Sequence, residues 1–125
     1  MNPTYKIMIV EESPDISLIT AKIFQFQKWN VIRASSSEIA LELLNTNQID
    51  IILMDINLPG MSGIECCLRI RQLPDSIKSK TPIIAVTGNE HGYTLEEYKK
   101  IGFNYFLQKP VNFEVLLDRI GKILK

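Results

Sequence analysis

Ile7-Met8-Ile9-Val10 is a continuous apolar run, rich in β-branched residues, that stops at two glutamates. Such runs suit a strand buried on both faces, as in a parallel sheet. The pattern recurs along the chain. Val31-Ile32 is a weak second strand. Ile49 to Met54, interrupted by Asp50, is a third and ends at Asp55. Pro82 to Val86 is a fourth and ends at Thr87-Gly88-Asn89, and Tyr105-Phe106-Leu107 is a short fifth. The segments between have helical period. Ser13-Pro14 reads as an N-cap followed by proline at the first helical position. Ile16, Ile19, Ile23 and Phe26 then recur as one apolar face. Ile39, Ala40, Leu43 and Leu44 mark a second helix. Ile64, Cys67, Leu68 and Arg71 mark a third, ended by Pro74. Thr94 and Glu97 predict a capping box for the fourth, which Gly102 closes. Phe113, Leu116, Leu117, Ile120 and Leu124 form the apolar side of the last.

Strand and helix alternate five times, without repeat, low complexity or linker. That alternation predicts an α/β fold, a doubly wound parallel sheet of five strands with helices on both faces. The 125 residues suit one domain, with a core over about residues 5 to 124 and no output domain. Lysine plus arginine balance aspartate plus glutamate at 14 each, so no electrostatic footprint for nucleic acid or an anionic membrane is expected. Cys66 and Cys67 are adjacent and read as small apolar residues, while His91 stands alone, so no thiol or imidazole metal site is expected. No signal-peptide pattern opens Met1 to Lys6 and no apolar run is of spanning length, which predicts a cytoplasmic location.

In a doubly wound sheet, ligands bind beyond the carboxyl ends of the strands. Glu11 and Glu12 follow the first strand, Asp55 and then Asn57 the third, Thr87 the fourth and Lys109 the fifth. The fold would bring them to one edge. Carboxylates gathered there would repel one another unless a cation were present. An all-oxygen set suits a hard ion, Mg²⁺ (or Mn²⁺). Lys109 offers a point charge to phosphate oxygens and Thr87 a hydroxyl. A carboxylate nucleophile, a metal and a lysine suffice for phosphoryl transfer by positioning and charge neutralisation. Each residue alone has a plainer reading: Asp55 and Asn57 as turn residues, Lys109 as a solvated lysine, Thr87 as a strand-end threonine, Glu11 and Glu12 as a solvated pair, Phe106 as core. Asn57 and Asn89 also flank the approach to Asp55.

The segments Ile7-Met8-Ile9-Val10-Glu11-Glu12-Ser13-Pro14, Met54-Asp55-Ile56-Asn57-Leu58-Pro59-Gly60-Met61-Ser62-Gly63, Val86-Thr87-Gly88 and Phe106-Leu107-Gln108-Lys109-Pro110 resemble, in order, the receiver domains of bacterial response regulators. The resemblance implies a flavodoxin-like three-layer sandwich. It implies that Asp55 accepts a phosphoryl group from a histidine kinase or histidine phosphotransfer protein, and that the domain is a signalling switch with an output partner rather than an enzyme acting on a separate substrate. Glu11, Glu12, Asp55 and the backbone carbonyl of Asn57 would hold the metal. Thr87 and Lys109 would hold the phosphoryl oxygens. Thr87 and Phe106 would form the switch, and the Lys109-Pro110 peptide is expected to be cis. The face that responds would carry Tyr93, Glu96, Lys100 and Arg119.

The chain departs from the family at two positions. Glu12 stands where aspartate is more common, and Phe106 where tyrosine is common, which removes a hydroxyl. Glu12 keeps open a phosphorylation-independent receiver that serves as a fixed interaction module. Haloacid-dehalogenase phosphatases also use an aspartate nucleophile, but they need an acid where Asn57 stands. A flavin-binding relative would need a phosphate cradle where Glu11 and Glu12 stand.

Overall fold

The computed structural model describes residues 4–125. Strand β1 is Lys6–Val10, β2 Asn30–Ala34, β3 Ile51–Asp55, β4 Ile83–Thr87 and β5 Tyr105–Gln108. Helix α1 is Pro14–Phe26, α2 Ser37–Thr46, α3 Gly63–Arg71, α4 Leu95–Ile101 and α5 Phe113–Leu124, with a short 3₁₀ turn at Lys78–Lys80. The strands form one sheet in the order β2-β1-β3-β4-β5, with every pairing parallel. This is the flavodoxin-like, doubly wound α/β architecture expected.

Alternation along the strands divides the core in two. Met8, Val10, Ile52, Met54, Ile83 and Ala85 face α2, α3 and α4, where they meet Ala40, Leu44, Cys66, Cys67, Ile70 and Tyr98. Ile7, Ile9, Ile51, Leu53, Ile84 and Val86 face α1 and α5, where they meet Ala21, Phe24, Leu116 and Ile120. Because β1, β3 and β4 are covered on both sides, they read as unbroken apolar runs. The strong strands of the sequence are the central ones, and the weak β2 is an edge.

Helix α1 turns a different face inward from the one its isoleucines suggest. Ile16, Ile19 and Phe26 are 52%, 56% and 86% exposed, and Ile23 is half-buried. The buried residues are Ser17, Thr20, Ala21 and Phe24. The inward face lies one position along from the predicted one, a rotation of about 100° in a helix of 3.6 residues per turn. Two buried hydroxyls make this arrangement tolerable, because each is satisfied. Thr20 Oγ1 donates to the Ile16 carbonyl at 2.8 Å, and Ser17 Oγ accepts from Arg33 Nε of β2 at 2.8 Å. Phe24, with no exposed surface, supplies the main apolar anchor, worth about 1.5–3 kcal/mol.

Smaller differences follow the same logic. In α3 the buried residues are Gly63, Cys66, Cys67 and Ile70, while Leu68 is 43% exposed. The helix stops at Arg71, before Pro74. Arg71 turns back as a brace: its guanidinium donates to the carbonyls of Gly102 (2.9 and 2.6 Å), Ser79 (3.0 Å) and Thr81 (2.7 Å). Asp50 lies outside β3, where its carboxylate caps the Lys6 amide at 2.7 Å. On α2, Ile39 is 39% exposed while Ala40 and Leu44 fill the core. The caps stand as read: Ser13 on Ile16 N with Pro14 behind it, the Thr94–Glu97 box, and Gly102 at φ +132°. The Lys109-Pro110 peptide is cis.

Candidate functional site

Asp55 ends β3, the middle strand, and is 5% exposed. The chain runs outward in opposite directions from β1 and β3, so Asp55 lies at the switch point where doubly wound sheets open a crevice. Register fixes its neighbours. Val10 pairs with Met54, so Glu11 stands level with Asp55. Asp55 pairs with Val86, which puts Thr87 one residue beyond. Thr87 pairs with Gln108, and Lys109 N donates to the Thr87 carbonyl at 2.8 Å. The backbone ladder thus delivers Glu11, Asp55, Thr87 and Lys109 to one edge, as predicted.

The two carboxylate oxygens of Asp55 have separate donors. Lys109 Nζ lies 3.2 Å from Oδ2, and the Asn57 backbone N–H donates to Oδ1 at 3.0 Å. The Glu11 carboxylate is half-buried and accepts from Ser13 N at 2.9 Å. Its pKa is pushed above 4.5, first by burial. The Ser13 N–H opposes that, the Asp55 charge reinforces it, and Lys109 opposes it. Asp55 and Glu11 are therefore close enough to feel each other, which is the electrostatic situation a divalent cation relieves. The Glu12 side chain is exposed and forms no hydrogen bond or ion pair among the described residues. Successive side chains at a strand end diverge, and Glu11 takes the inward place. Among the described residues no three His, Cys, Asp or Glu side chains are gathered to hold a metal ion by themselves. The two carboxylates that stand level at this edge, Glu11 and Asp55, offer only oxygen, a donor type that fits an ion that keeps waters, such as Mg²⁺.

Gly63 lets the loop after β3 close tightly. Its N–H donates to the Ile56 carbonyl at 2.9 Å, and a Cβ there would lie 2.8 Å from the Ile56 Cα and closer still to the Asp55 carbonyl. The loop after β4 is tied in another way. Thr87 is fully buried, and its Oγ1 accepts from Asn89 N at 2.8 Å. Asn89 points its side chain into the protein, at Tyr93 and Tyr98, rather than at Asp55. Glu90 instead stands at the mouth, where its carboxylate accepts from the Asn57 side-chain amide at 3.1 and 3.2 Å. That bond, ahead of other influences, holds Glu90 below the usual carboxylate range. Phe106 is half-buried, with its ring 4.5 Å from that of Tyr98. Tyr105 faces the other side of the sheet, under the Arg119 guanidinium at 4.1 Å.

Glu90 and Tyr98 were not legible as site residues. Glu90 reaches the site only through a turn with positive φ at Asn89, and Tyr98 reads as one more apolar position on a short helix. From Glu11 and Lys109 at the crevice, an apolar groove lined by Ile16, Ile19, Val86, Pro110, Val111 and Phe113 runs along α1. No described helix is long and apolar enough to cross a membrane.

Residues 7–121 match the model of the response regulator receiver domain family. The chain is 31% identical over 116 residues to the CAI-1 autoinducer sensor kinase/phosphatase CqsS of Vibrio cholerae, covering 93% of this chain and 17% of that protein. It is 25% identical to sporulation initiation phosphotransferase F of Bacillus subtilis, over 95% of this chain and 93% of that one. Other relatives are longer, and the chain spans about half of the regulatory protein YrkP of Bacillus subtilis (48%). Among solved structures, the chemotaxis response regulator CheY4 of Vibrio cholerae superposes with a TM-score of 0.86 at 28% identity, over 98% of this chain and 100% of that one. The response regulator TrrA of Thermotoga maritima, solved in complex with Mg²⁺ and BeF, gives 0.83 at 25% identity, over 97% and 100%.

Proposed function

The chain belongs to the response regulator receiver domain family, and on that premise we propose that it accepts a phosphoryl group on Asp55 in a Mg²⁺-dependent reaction. The observation that carries this reading is the Asp55 carboxylate itself. It is nearly buried in the switch-point crevice, with Lys109 Nζ at 3.2 Å on one oxygen and the Asn57 N–H at 3.0 Å on the other. Glu11 lies on one side of it and Thr87 on the other.

The donor is a phosphohistidine of a sensor kinase or a histidine phosphotransfer protein. Two relatives support that choice by name, a sensor kinase/phosphatase and a phosphotransferase. An Asp55 oxygen attacks phosphorus. The new bond is P–O, the bond that breaks is P–N, and the imidazole leaves. Lys109 gives up part of its pairing with Asp55 to neutralise the phosphoryl oxygens, and Thr87 turns its hydroxyl toward them. Glu11, Asp55 and the Asn57 carbonyl would hold Mg²⁺ or Mn²⁺, with Glu12 contributing from the rim. The ion supplies charge neutralisation as the phosphoryl group approaches. The donor protein would enter beside Lys109, along the apolar groove of α1.

The added charge on Asp55 then drives the switch. Thr87 exchanges Asn89 N–H for the phosphoryl group, the loop to α4 rearranges, and Phe106 follows. The face formed by α4, β5 and α5 changes for an output partner. The module works in the cytoplasm without membrane or nucleic-acid contact of its own. The fixed-module alternative rested on Glu12 alone. A side chain with no partner, placed outside the Asp55–Lys109 pair, gives that alternative no further ground.

Beryllofluoride with Mg²⁺, followed by NMR on wild type and Asp55→Asn, tests the proposal. Saturable, Mg²⁺-dependent shifts around Asp55, Thr87 and Lys109 are expected in wild type and none in the variant. Wild-type protein indifferent to the pair would sink the reading.

A further inference from the structure

Phe106 cannot hydrogen-bond to Thr87, yet a phenol contributed by α4 is linked to Thr87 through Asn89. Tyr98 is fully buried. Its hydroxyl donates to Asn89 Oδ1 at 2.7 Å. Asn89 closes the circuit. Its N–H donates to Thr87 Oγ1 at 2.8 Å, its Oδ1 also accepts from Tyr93 N at 3.1 Å, and its Nδ2 donates to the Tyr93 carbonyl at 3.2 Å. Asn89 stands at φ +58°, so its backbone is held in a left-handed conformation that few L-residues adopt. The Tyr98 ring is packed against Tyr93 at 5.5 Å, Phe103 at 5.9 Å and Phe106 at 4.5 Å.

Three properties of this cluster matter together. The hydroxyl is buried, so it must keep a partner. The ring is wedged among three aromatics, so it moves only with its helix. Its bond to Asn89, whose N–H donates to Thr87, supports an arrangement where the Thr87 hydroxyl serves the loop and forms no hydrogen bond to Asp55 among the described residues. We infer that Tyr98 is a positioning residue that holds Thr87 in its resting place through Asn89 and transmits the displacement of Thr87 directly into α4. The inference rests on the phosphoacceptor reading of Asp55. Under it, Phe106 is packing against a relay rather than the relay itself. When Thr87 turns toward a phosphoryl group, Asn89 N–H loses its acceptor. Asn89 and Tyr98 must then find a new paired arrangement, and α4 shifts with the ring.

The test compares wild type, Tyr98→Phe and Asn89→Gly. The first variant removes one hydroxyl and keeps the ring. The second keeps a residue suited to positive φ and removes the acceptor. Each is titrated with beryllofluoride and Mg²⁺ while the amides of Lys99, Lys100 and Gly102 are followed by NMR. A hydrogen bond that favours the resting arrangement is lost in both, so each variant should bind beryllofluoride roughly fivefold more tightly than wild type, the factor expected for one net hydrogen bond. The α4 shifts at saturation should fall to less than half of the wild-type size, and the double variant should add little to either single one. A merely structural hydroxyl would leave affinity unchanged or weaker, with full-sized α4 shifts at saturation, and either result overturns the inference. Wild-type protein that fails to bind beryllofluoride overturns the phosphoacceptor reading, and the inference with it. Wild-type binding with an unaltered response in Tyr98→Phe overturns the inference alone.

Discussion

The two sides of Asp55 are built on different principles. Toward β1 and the loop after β3, backbone groups hold the site. Ser13 N–H fixes Glu11, Asn57 N–H fixes Asp55, and Gly63 N–H ties the loop to the Ile56 carbonyl. Ser13 and Ser62 also cap α1 and α3, so these loops are short and anchored at both ends. Toward β4 and β5, bonds between two side chains join the backbone N–H groups in holding the site. Thr87, Asn89, Tyr93 and Tyr98 satisfy one another, and Glu90 bridges to Asn57 across the mouth. A backbone lattice gives fixed charge positions, which suits a cation. A ring of side-chain bonds can exchange partners while every group stays paired, which suits a two-state element. On the proposed reading, one crevice would combine a fixed electrostatic wall and a movable one.

Lys109→Ala should have the largest effect. It removes the one cation paired with the Asp55 carboxylate among the described residues, and phosphoryl transfer from a small acyl phosphate should slow by roughly 10²–10³, the loss typical of a removed charge-stabilising donor. A slowing of only a few fold would show that the movable wall carries no catalytic charge. Gly63→Ala attacks the rigid wall without touching charge. The new Cβ meets the backbone of Asp55 and Ile56, which cannot yield like a side chain. Chemical denaturation should report a loss of about 1–3 kcal/mol, and unchanged stability would mean that the loop is looser than described.

The two glutamates sharpen the comparison within the rigid wall. Glu11→Gln should weaken Mg²⁺ binding roughly tenfold or more, as measured by titration. Glu12→Gln, at an exposed position without a partner, should change it by no more than about fivefold. Equal effects would give Glu12 the same share in holding the ion as Glu11. The smallest effect is on pH dependence. In the metal-free protein Glu11 holds its proton more tightly folded than unfolded, because its pKa is raised above 4.5. Its contribution to stability therefore falls as pH rises from 4.5 through the raised value, and is constant above it. Thermal melts across that window should separate wild type from Glu11→Gln in that direction, and excess Mg²⁺, which competes with the proton, should shift the difference toward lower pH.

Most of the site was legible because strand ends carry it. A buried parallel strand announces itself by its apolar run, and the residue that ends the run is necessarily at the sheet edge. Asp55, Thr87, Lys109 and Glu11 could thus be placed before any coordinates. Orientation was harder to read. On α1 the isoleucines suggested the inward face, yet Ser17 and Thr20 occupy it, because Arg33 and the Ile16 carbonyl satisfy their hydroxyls. Hydrophobic period alone does not foresee a polar residue whose partner comes from another strand. Tyr98 and Glu90 were hidden for a related reason. Their roles arise from the turn at Asn89, whose positive φ sends one side chain inward and brings the next to Asn57.

The most direct test of the central claim is phosphoryl transfer itself. Wild type and Asp55→Asn are incubated with a small acyl phosphate, with and without Mg²⁺, and read by intact mass and hydroxylamine lability. The account predicts one phosphoryl group per wild-type chain, dependent on Mg²⁺, released by hydroxylamine and absent from Asp55→Asn. A mass gain that persists in Asp55→Asn, or that forms equally well without the cation, would contradict it.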